Sequence, residues 1–114
     1  FAAYVEDGAG TAVLSASPEE FLWRRGDAVR TRPIKGTRPR GAVAAADAAL
    51  LAELLASEKD QAELAMIVDL LRNDLGKVAA TGSVRVGPFP EHGSFAQVHH
   101  LFATVEATLR PGTS

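Results

Sequence analysis

A single lysine in a segment rich in proline and glycine is the first candidate for chemistry. Lys35 lies between Ile34 and Gly36 within residues 31–41, which contain four cations, two prolines and two glycines. An uncharged lysine amine is a nucleophile, and an adjacent glycine lets a ligand approach the backbone closely. Thr37 adds a hydroxyl group and a backbone N–H that could bind an anionic oxygen. Taken alone, such a pattern is more typical of a basic surface turn than of a site.

Two glutamates are candidates to act with this lysine. Glu19 lies sixteen residues before Lys35, and a hairpin between them would let an acid and a nucleophile reach the same substrate. Glu63 lies in a predicted helix beside apolar residues within 66–70, where a carboxylate needs a cation, a hydrogen-bond donor or a metal. The alternatives are a solvated carboxylate at Glu19 and a structural salt bridge, for example to Lys59, at Glu63.

Two adjacent histidines, His99 and His100, fall in a predicted strand. Neighbouring residues of a strand face opposite sides, so we expect one ring in the core and the other toward solvent. A metal site would need several ligands on one face, and the pattern supplies none. A structural role is therefore the simplest interpretation of each histidine.

The surrounding elements follow an α+β pattern, with antiparallel hairpins, then two helices, then further antiparallel strands. The second hairpin would deliver Lys35 to the end of a sheet, in a loop held by a rigid scaffold. A turn-rich loop is predicted at 88–93. The predicted strands cover residues 1–5, 11–15, 21–24, 28–32, 81–86 and 97–109.

Two helices are predicted at residues 44–56 and 58–75. Alanine and leucine favour the first helix. The second begins at Ser57 as N-cap and has Gly76 where a left-handed C-cap would lie. Its apolar stripe consists of Leu64, Ile67, Val68, Leu71 and Leu75.

A short capped helical turn is predicted just before the second hairpin. Ser17 would be its N-cap, Pro18 its first residue, and Glu20 the reciprocal capping acid. Glu19 is not needed for this cap, so its carboxylate is available for another role.

Composition limits the class of protein. The 114 residues suffice for one small core, the net charge is −2, and cysteine is absent. These values exclude a disulfide framework and give no general attraction to membranes. The sequence contains no apolar run long enough to span a bilayer, and no signal peptide opens it. We therefore expect a cytoplasmic setting and no membrane partner.

A basic run raises the question of nucleic-acid binding. Seven residues from Arg24 to Arg40 are Arg or Lys, and phosphates could bind them. Single-stranded nucleic acid would also need aromatic stacking platforms, and only Trp23 is nearby. A small dianion accounts for the same cations, so no nucleic-acid partner is expected.

Three segments together resemble a known family. The Pro-Ile-Lys-Gly-Thr sequence at 33–37 is similar to the signature of chorismate-utilising enzymes, in particular component I of aminodeoxychorismate synthase. Anthranilate synthases typically carry alanine at the position of Lys35. The Ser-Pro-Glu-x-Phe pattern at 17–21 and the helix sequence at 58–76 extend the resemblance over essentially the whole chain. By this resemblance, residues 1–114 are an incomplete middle section of one chorismate-binding catalytic domain.

The resemblance implies a role for each candidate. Lys35 would be the covalent nucleophile, Glu19 the acid–base partner, and Glu63 a ligand of Mg²⁺. Substrate contacts would come from Gly36, Thr37 and His100. Two positions depart from the family pattern, where Leu64 replaces an asparagine or histidine and Ala103 replaces a serine.

The function implied by the resemblance is amination of chorismate to 4-amino-4-deoxychorismate, a precursor of p-aminobenzoate and folate. Ammonia would come from a glutamine amidotransferase subunit or fused domain. The alternatives are an anthranilate synthase component I or related enzyme, and a non-catalytic anion-binding fragment. The implied fold is part of an anthranilate-synthase component I-like fold, an antiparallel β-sheet with two covering helices. Residues 1–114 alone are expected to be inactive.

Overall fold

Antiparallel strands occupy both ends of the chain, and two helices lie between them. The structure is a computed structural model, and it describes residues 1–113. No helix within these residues is both long and apolar enough to cross a membrane. The elements are β1 Ala2–Glu6, β2 Ala12–Ala16, β3 Glu20–Arg25, β4 Ala28–Arg32, β5 Ile34–Pro39, α1 Ala44–Ala56, α2 Glu58–Val78, β6 Arg85–Val86, β7 Glu91–Ser94, β8 Val98–Phe102 and β9 Val105–Thr108.

The strands form three antiparallel sheets, with orders β1-β2, β3-β4-β9-β6 and β5-β8-β7. The two larger sheets are joined by one bent two-stranded ribbon, formed by β4 and β5 on one side and by β8 and β9 on the other. Thr31 lies opposite Val105 and Ile34 lies opposite Phe102, so the pairing continues in the same register from one sheet into the next. Pro33 interrupts the ladder between them, since proline has no backbone N–H. Its carbonyl still accepts a hydrogen bond from the opposite segment at 3.2 Å. The predicted α+β class with two covering helices is confirmed.

The core lies between the two helices and one face of this ribbon. Three of the five residues in the predicted stripe of α2 are buried, and the other two are partly buried. Burial of such apolar side chains is the main favourable contribution to folding. The buried apolar residues are Val29, Leu54, Leu64, Val68, Leu75, Ala79, Leu101, Ala103, Val105, Ala107 and Leu109.

The end of α2 differs from the prediction. Ser57 caps the helix as expected, with its side chain accepting the Asp60 N–H at 3.3 Å. Gly76 is not a left-handed C-cap, since the helix continues to Val78 and is capped at Ala79. Ala79 is buried in the core, and its packing outweighs the penalty of about 1 kcal/mol for an internal glycine.

The predicted helical turn before the second hairpin is also wrong. Glu20 is the first residue of β3, and its buried carboxylate forms an ion pair with the partly exposed Arg30. Ser17 instead makes a local turn, with its hydroxyl donating to the carbonyl of Glu19 at 3.0 Å. The ion pair draws Glu20 into the sheet, and this tertiary contact prevails over the local capping pattern.

The C-terminal strands are divided differently from the prediction. The long strand predicted at 97–109 is two strands, because the chain leaves the ladder at Ala103 and Thr104. The loop predicted at 88–93 overlaps β7, which pairs with β8. The strand predicted at 81–86 is reduced to Arg85–Val86.

Candidate functional site

Lys35 lies within strand β5, at a β-bulge, and not in a loop beyond a sheet as predicted. Ile34 pairs with Phe102 and Thr37 with His100, so β5 carries one extra residue between these two pairs. Gly36 has a φ of +83°, a value in the left-handed region that glycine adopts readily. Bulges of this kind turn a strand locally and redirect its side chains. The side chain of Lys35 is partly buried, and it forms no salt bridge with any residue in 1–113.

The structure brings Glu19 to the same part of β5. The backbone N–H of Ile34, the residue just before Lys35, donates to Glu19 Oε1 at 2.8 Å. The Ser17 turn positions Glu19 for this contact. Glu19 therefore lies beside the backbone of β5, next to the residue that precedes Lys35, and the roles of Glu19 and Lys35 stay predictions.

Thr37 and His100, two predicted substrate contacts, are hydrogen-bonded to each other. Thr37 Oγ1 lies 2.8 Å from His100 Nδ1, as their pairing across β5 and β8 requires. The ring of Phe95 packs against His100 at 5.6 Å with a tilt of 55°. These contacts fix the orientation of the imidazole beside the bulge.

His99 points the opposite way and is structural, so the prediction that the two rings face opposite sides is confirmed. It is 1% exposed, with Nδ1 2.8 Å from Ser94 Oγ and Nε2 2.9 Å from Asp47 Oδ1. Asp47 also accepts hydrogen bonds from Arg40 and from the Gly41 N–H. Arg40 and then Gly41 hold the pKa of Asp47 well below its ordinary value. A serine–histidine–aspartate chain whose carboxylate is already paired with arginine is better explained as a support between β8 and α1.

Glu63 is more exposed than the sequence indicated. Its side chain is 46% exposed, and its nearest cation is Lys59, with Nζ 3.9 Å from Oε1. Of the expected apolar neighbours, Met66 and Leu70 lie on the exposed side of α2, whereas Ile67 is partly buried. The Glu63 carboxylate supplies oxygen ligands of the kind that Mg²⁺ prefers, and its binding of a metal stays a prediction. Within residues 1–113, no group of three or more potential ligands surrounds one point, so Glu63 would supply a single ligand from this region.

Two open clefts meet at the segment that carries Glu19. One, of about 280 Å³, is bordered by Glu19, Pro33 and Ile67 of α2, and Ile67 lies one helical turn from Glu63. The other, of about 130 Å³, is bordered by Ile34 and His100 among others. Lys35 lines neither of these clefts.

A three-way contact centred on Arg38 was missed by the sequence reasoning. Arg38 Nε lies 2.8 Å from Glu53 Oε1 on α1, and its Nη2 lies 3.3 Å from Asp60 Oδ2 on α2. Its Nη1 donates to the carbonyl of Thr37 at 3.0 Å. Asp60 lies in the first turn of α2, where an acid is also favoured by the helix dipole. A signal was available, because Asp60 lies four residues before the buried Leu64 and hence on the same helix face.

Several cations of the basic run are engaged within the fold. Arg30 pairs with Glu20 through two contacts of 2.8 and 3.0 Å, and this hydrogen bonding lowers the pKa of Glu20. The guanidinium of Arg32 lies 4.5 Å from the centre of the Phe102 ring. The basic run is therefore largely a set of internal contacts between strands and helices.

Comparison with known proteins identifies the family. Residues 1–114 match the family model described as chorismate binding enzyme. The chain is 50% identical over 105 residues to an anthranilate synthase component 1 of Haloarcula marismortui. It is also 50% identical over 115 residues to an aminodeoxychorismate synthase of Streptomyces griseus. The chain therefore belongs to the chorismate binding enzyme family.

A solved structure supports the fold. Anthranilate synthase component I from Streptococcus pneumoniae superposes with a TM-score of 0.79 at 34% identity, over 100% of this chain and 24% of that one. The two relatives above are matched over 92% and 100% of this chain, but the match spans only 22% and 16% of their own lengths. The relatives named are thus several times longer than the chain described.

Proposed function

We propose that the polypeptide containing these residues aminates chorismate to 4-amino-4-deoxychorismate, with ammonia from a glutamine amidotransferase partner or domain. Family membership supports chorismate as substrate. The observation that supports the finer assignment is the 2.8 Å hydrogen bond from the backbone N–H of Ile34, the residue before Lys35, to Glu19 Oε1. A lysine, and an acid that contacts the backbone next to it, are suited to nucleophilic displacement with protonation of the leaving group.

Lys35 would act as the nucleophile. Its uncharged Nζ attacks ring carbon C2 of chorismate, both ring double bonds shift by one position, and the bond from C4 to its hydroxyl oxygen breaks. Ammonia then adds at C4, the double bonds shift back, and Lys35 leaves C2. The net reaction converts chorismate and ammonia into 4-amino-4-deoxychorismate and water.

Glu19 would supply the proton in the first step. The departing C4 hydroxyl takes this proton and leaves as water, and the carboxylate can later accept a proton from the incoming ammonium. The hydrogen bond from the Ile34 N–H holds Oε1 and leaves the second carboxyl oxygen to face the substrate. Such positioned acid–base groups typically contribute about 10²–10⁴-fold to rate.

Binding of the substrate would involve the other predicted residues. Gly36 and Thr37 present backbone and hydroxyl groups beside Lys35, and His100 is oriented by Thr37 and Phe95. Glu63 would hold Mg²⁺ through one carboxylate oxygen. When bound, this ion would neutralise a carboxylate of the dianionic substrate.

A second candidate is an anthranilate synthase or related chorismate enzyme with a lysine at this position. It is favoured by the 50% identity to the Haloarcula marismortui relative. The same residues could then bind chorismate without formation of a lysine adduct. Product identity separates the two candidates.

The test traps the adduct on the complete polypeptide. Wild-type protein given chorismate and Mg²⁺ without ammonia should gain the mass of chorismate less one water on Lys35, measured by peptide mass spectrometry. Lys35→Ala should gain nothing. Lys77→Ala is the matched control, since Lys77 is exposed and pairs only with Asp74 in the part of the chain described, and it should react like the wild type.

Chromatography of the reaction with ammonia completes the test. The proposal expects 4-amino-4-deoxychorismate, whereas anthranilate as the product would favour the second candidate. Equal turnover by Lys35→Ala and wild type would contradict a covalent role for the lysine. The same equal turnover would favour the alternative of a non-catalytic anion-binding fragment for residues 1–114.

A further inference from the structure

We infer that Asp60 is a positioning residue for Lys35 and acts through the backbone of Gly36. This inference rests on the proposed function in one respect, namely that Lys35 is the reactive amine. A Cβ atom built on Gly36 would lie 2.9 Å from Asp60 Cβ, 3.0 Å from Asp60 Cγ and 3.0 Å from Leu54 Cδ1. The side chain of Asp60 therefore packs directly on the one residue whose backbone angles define the bulge.

The carboxylate of Asp60 is itself held in place. Its Oδ2 lies 3.3 Å from Arg38 Nη2, and the same guanidinium donates to the carbonyl of Thr37 at 3.0 Å. The backbone of Asp60 is fixed by the Ser57 cap at 3.3 Å. The bulge at Lys35 and Gly36 is thus packed against Asp60. The next residue of β5, Thr37, binds the same guanidinium through its carbonyl.

This arrangement suits positioning because a reactive lysine must be held closely. Reacting groups need placement within about 0.5 Å of the productive geometry. A glycine with φ of +83° can move to other allowed angles when its packing is removed. Loss of Asp60 would therefore let the bulge relax and change the direction in which Lys35 projects, without removing any group that touches the substrate.

The contact centred on Arg38 provides a matched control. Glu53 also pairs with Arg38, at 2.8 Å, but its side chain is 62% exposed, against 17% for Asp60. Glu53→Gln removes one charge from the same guanidinium and leaves the packing on Gly36 intact. Asp60→Ala removes the charge and the packing of Cγ while Cβ remains, whereas Asp60→Asn keeps the shape and removes only the charge.

Two measurements on the complete polypeptide test the inference. The first needs no substrate: lysines are reductively methylated with ¹³C, and the signal of Lys35 is assigned by its absence in Lys35→Ala. Asp60→Ala should shift the Lys35 signal, while the Lys77 signal should stay unchanged. Glu53→Gln should shift neither, and Asp60→Asn should shift the Lys35 signal less than Asp60→Ala does.

The second measurement is the rate of adduct formation with chorismate. Asp60→Ala should lower this rate by about 10–100-fold, since a misplacement of about 1 Å can reduce rate 100-fold, with KM changed less than about 3-fold. Asp60→Asn should recover at least part of the rate, and Glu53→Gln should match the wild type. If Asp60 had only a structural role, its replacement would lower stability without a large fall in the adduct rate at nearly unchanged KM.

The inference is overturned if folded Asp60→Ala leaves both the Lys35 signal and the adduct rate unchanged, or if Glu53→Gln has an equal effect on them. If Asp60→Ala does not fold, Asp60→Ser decides, because it removes the carboxylate and part of the packing on Gly36, and a Lys35 signal identical to that of the wild type then counts against the inference. If wild-type protein forms no adduct, the proposed function fails, and the methylation experiment still tests the placement of Lys35 by Asp60.

Discussion

Replacing Gly36 with alanine tests how closely helix α2 rests on the bulge. The substitution has two costs. A side chain at φ of +83° costs about 1–2 kcal/mol in the left-handed region. The new methyl group would also lie 2.9–3.0 Å from carbon atoms of Asp60 and Leu54, and overpacking of this kind costs about 1–3 kcal/mol. We therefore expect a loss of about 2–5 kcal/mol in the free energy of unfolding, the sum of these two costs.

Gly82→Ala separates the two costs. Gly82 has a similar φ of +77°, but a Cβ there would meet no atom within 4 Å. It should lose only the conformational part, about 1–2 kcal/mol. The assay is urea unfolding of both variants in the same polypeptide, where the extra cost at Gly36 should lower the midpoint by roughly 1 M more.

The outcome that refutes this reasoning is an equal loss of stability in the two alanine variants. Such a result would mean that the first turn of α2 yields to the new methyl group and does not rest firmly on β5. The inference about Asp60 would then lose its packing contact, although the ion pair with Arg38 would remain.

Three further predictions concern stability. Glu20→Gln weakens the partly buried contact with Arg30 and should cost about 1–3 kcal/mol at neutral pH. The pKa of Glu20 is lowered from 4.5 in the fold, so the stabilisation by its carboxylate is present above pH 4.5 and disappears as the pH falls through the lower folded value. In urea unfolding, the free energies of Glu20→Gln and wild type should therefore become equal in acid. Asp47→Asn should lose stability at neutral pH because it removes the charge that pairs with Arg40. The pKa of Asp47 is held well below 3.8, so the difference in free energy of unfolding between Asp47→Asn and wild type should persist to more acid pH than the difference for Glu20→Gln. Gly76→Ala should stabilise by about 0.5–1 kcal/mol in thermal or urea unfolding, because Gly76 is inside α2 and a Cβ there meets nothing within 4 Å.

The first hairpin, the second hairpin and both helices could be predicted because their signals are local. Turn residues, alanine content and the Ser57 cap each act within a few residues of where they stand in the chain. The errors have tertiary causes. Gly76 stays helical because the following residues pack in the core, and Glu20 leaves its predicted turn because Arg30 lies across the strand.

The candidate site was predicted only in part for the same reason. The sequence alone gives the spacing between Glu19 and Lys35, and the strand pattern alone gives the alternation of the two histidines. The bulge depends on the register between β5 and β8, which fixes the Thr37–His100 pair and which no local pattern specifies. The contact of Asp60 with Gly36 depends further on how α2 docks against that strand.

The distribution of charge pairs around strand β5 gives a physical reason to separate structural from functional carboxylates. Asp47 and Asp60 each contact an arginine of the segment that begins with β5, so their charges are used within the fold. Glu19 contacts the same strand without any arginine partner in residues 1–113, and only a backbone N–H binds it. The Glu19 carboxylate is thus bound by one neutral donor, the N–H of the residue that precedes Lys35, and this environment is the strongest reason to test Glu19 for proton transfer.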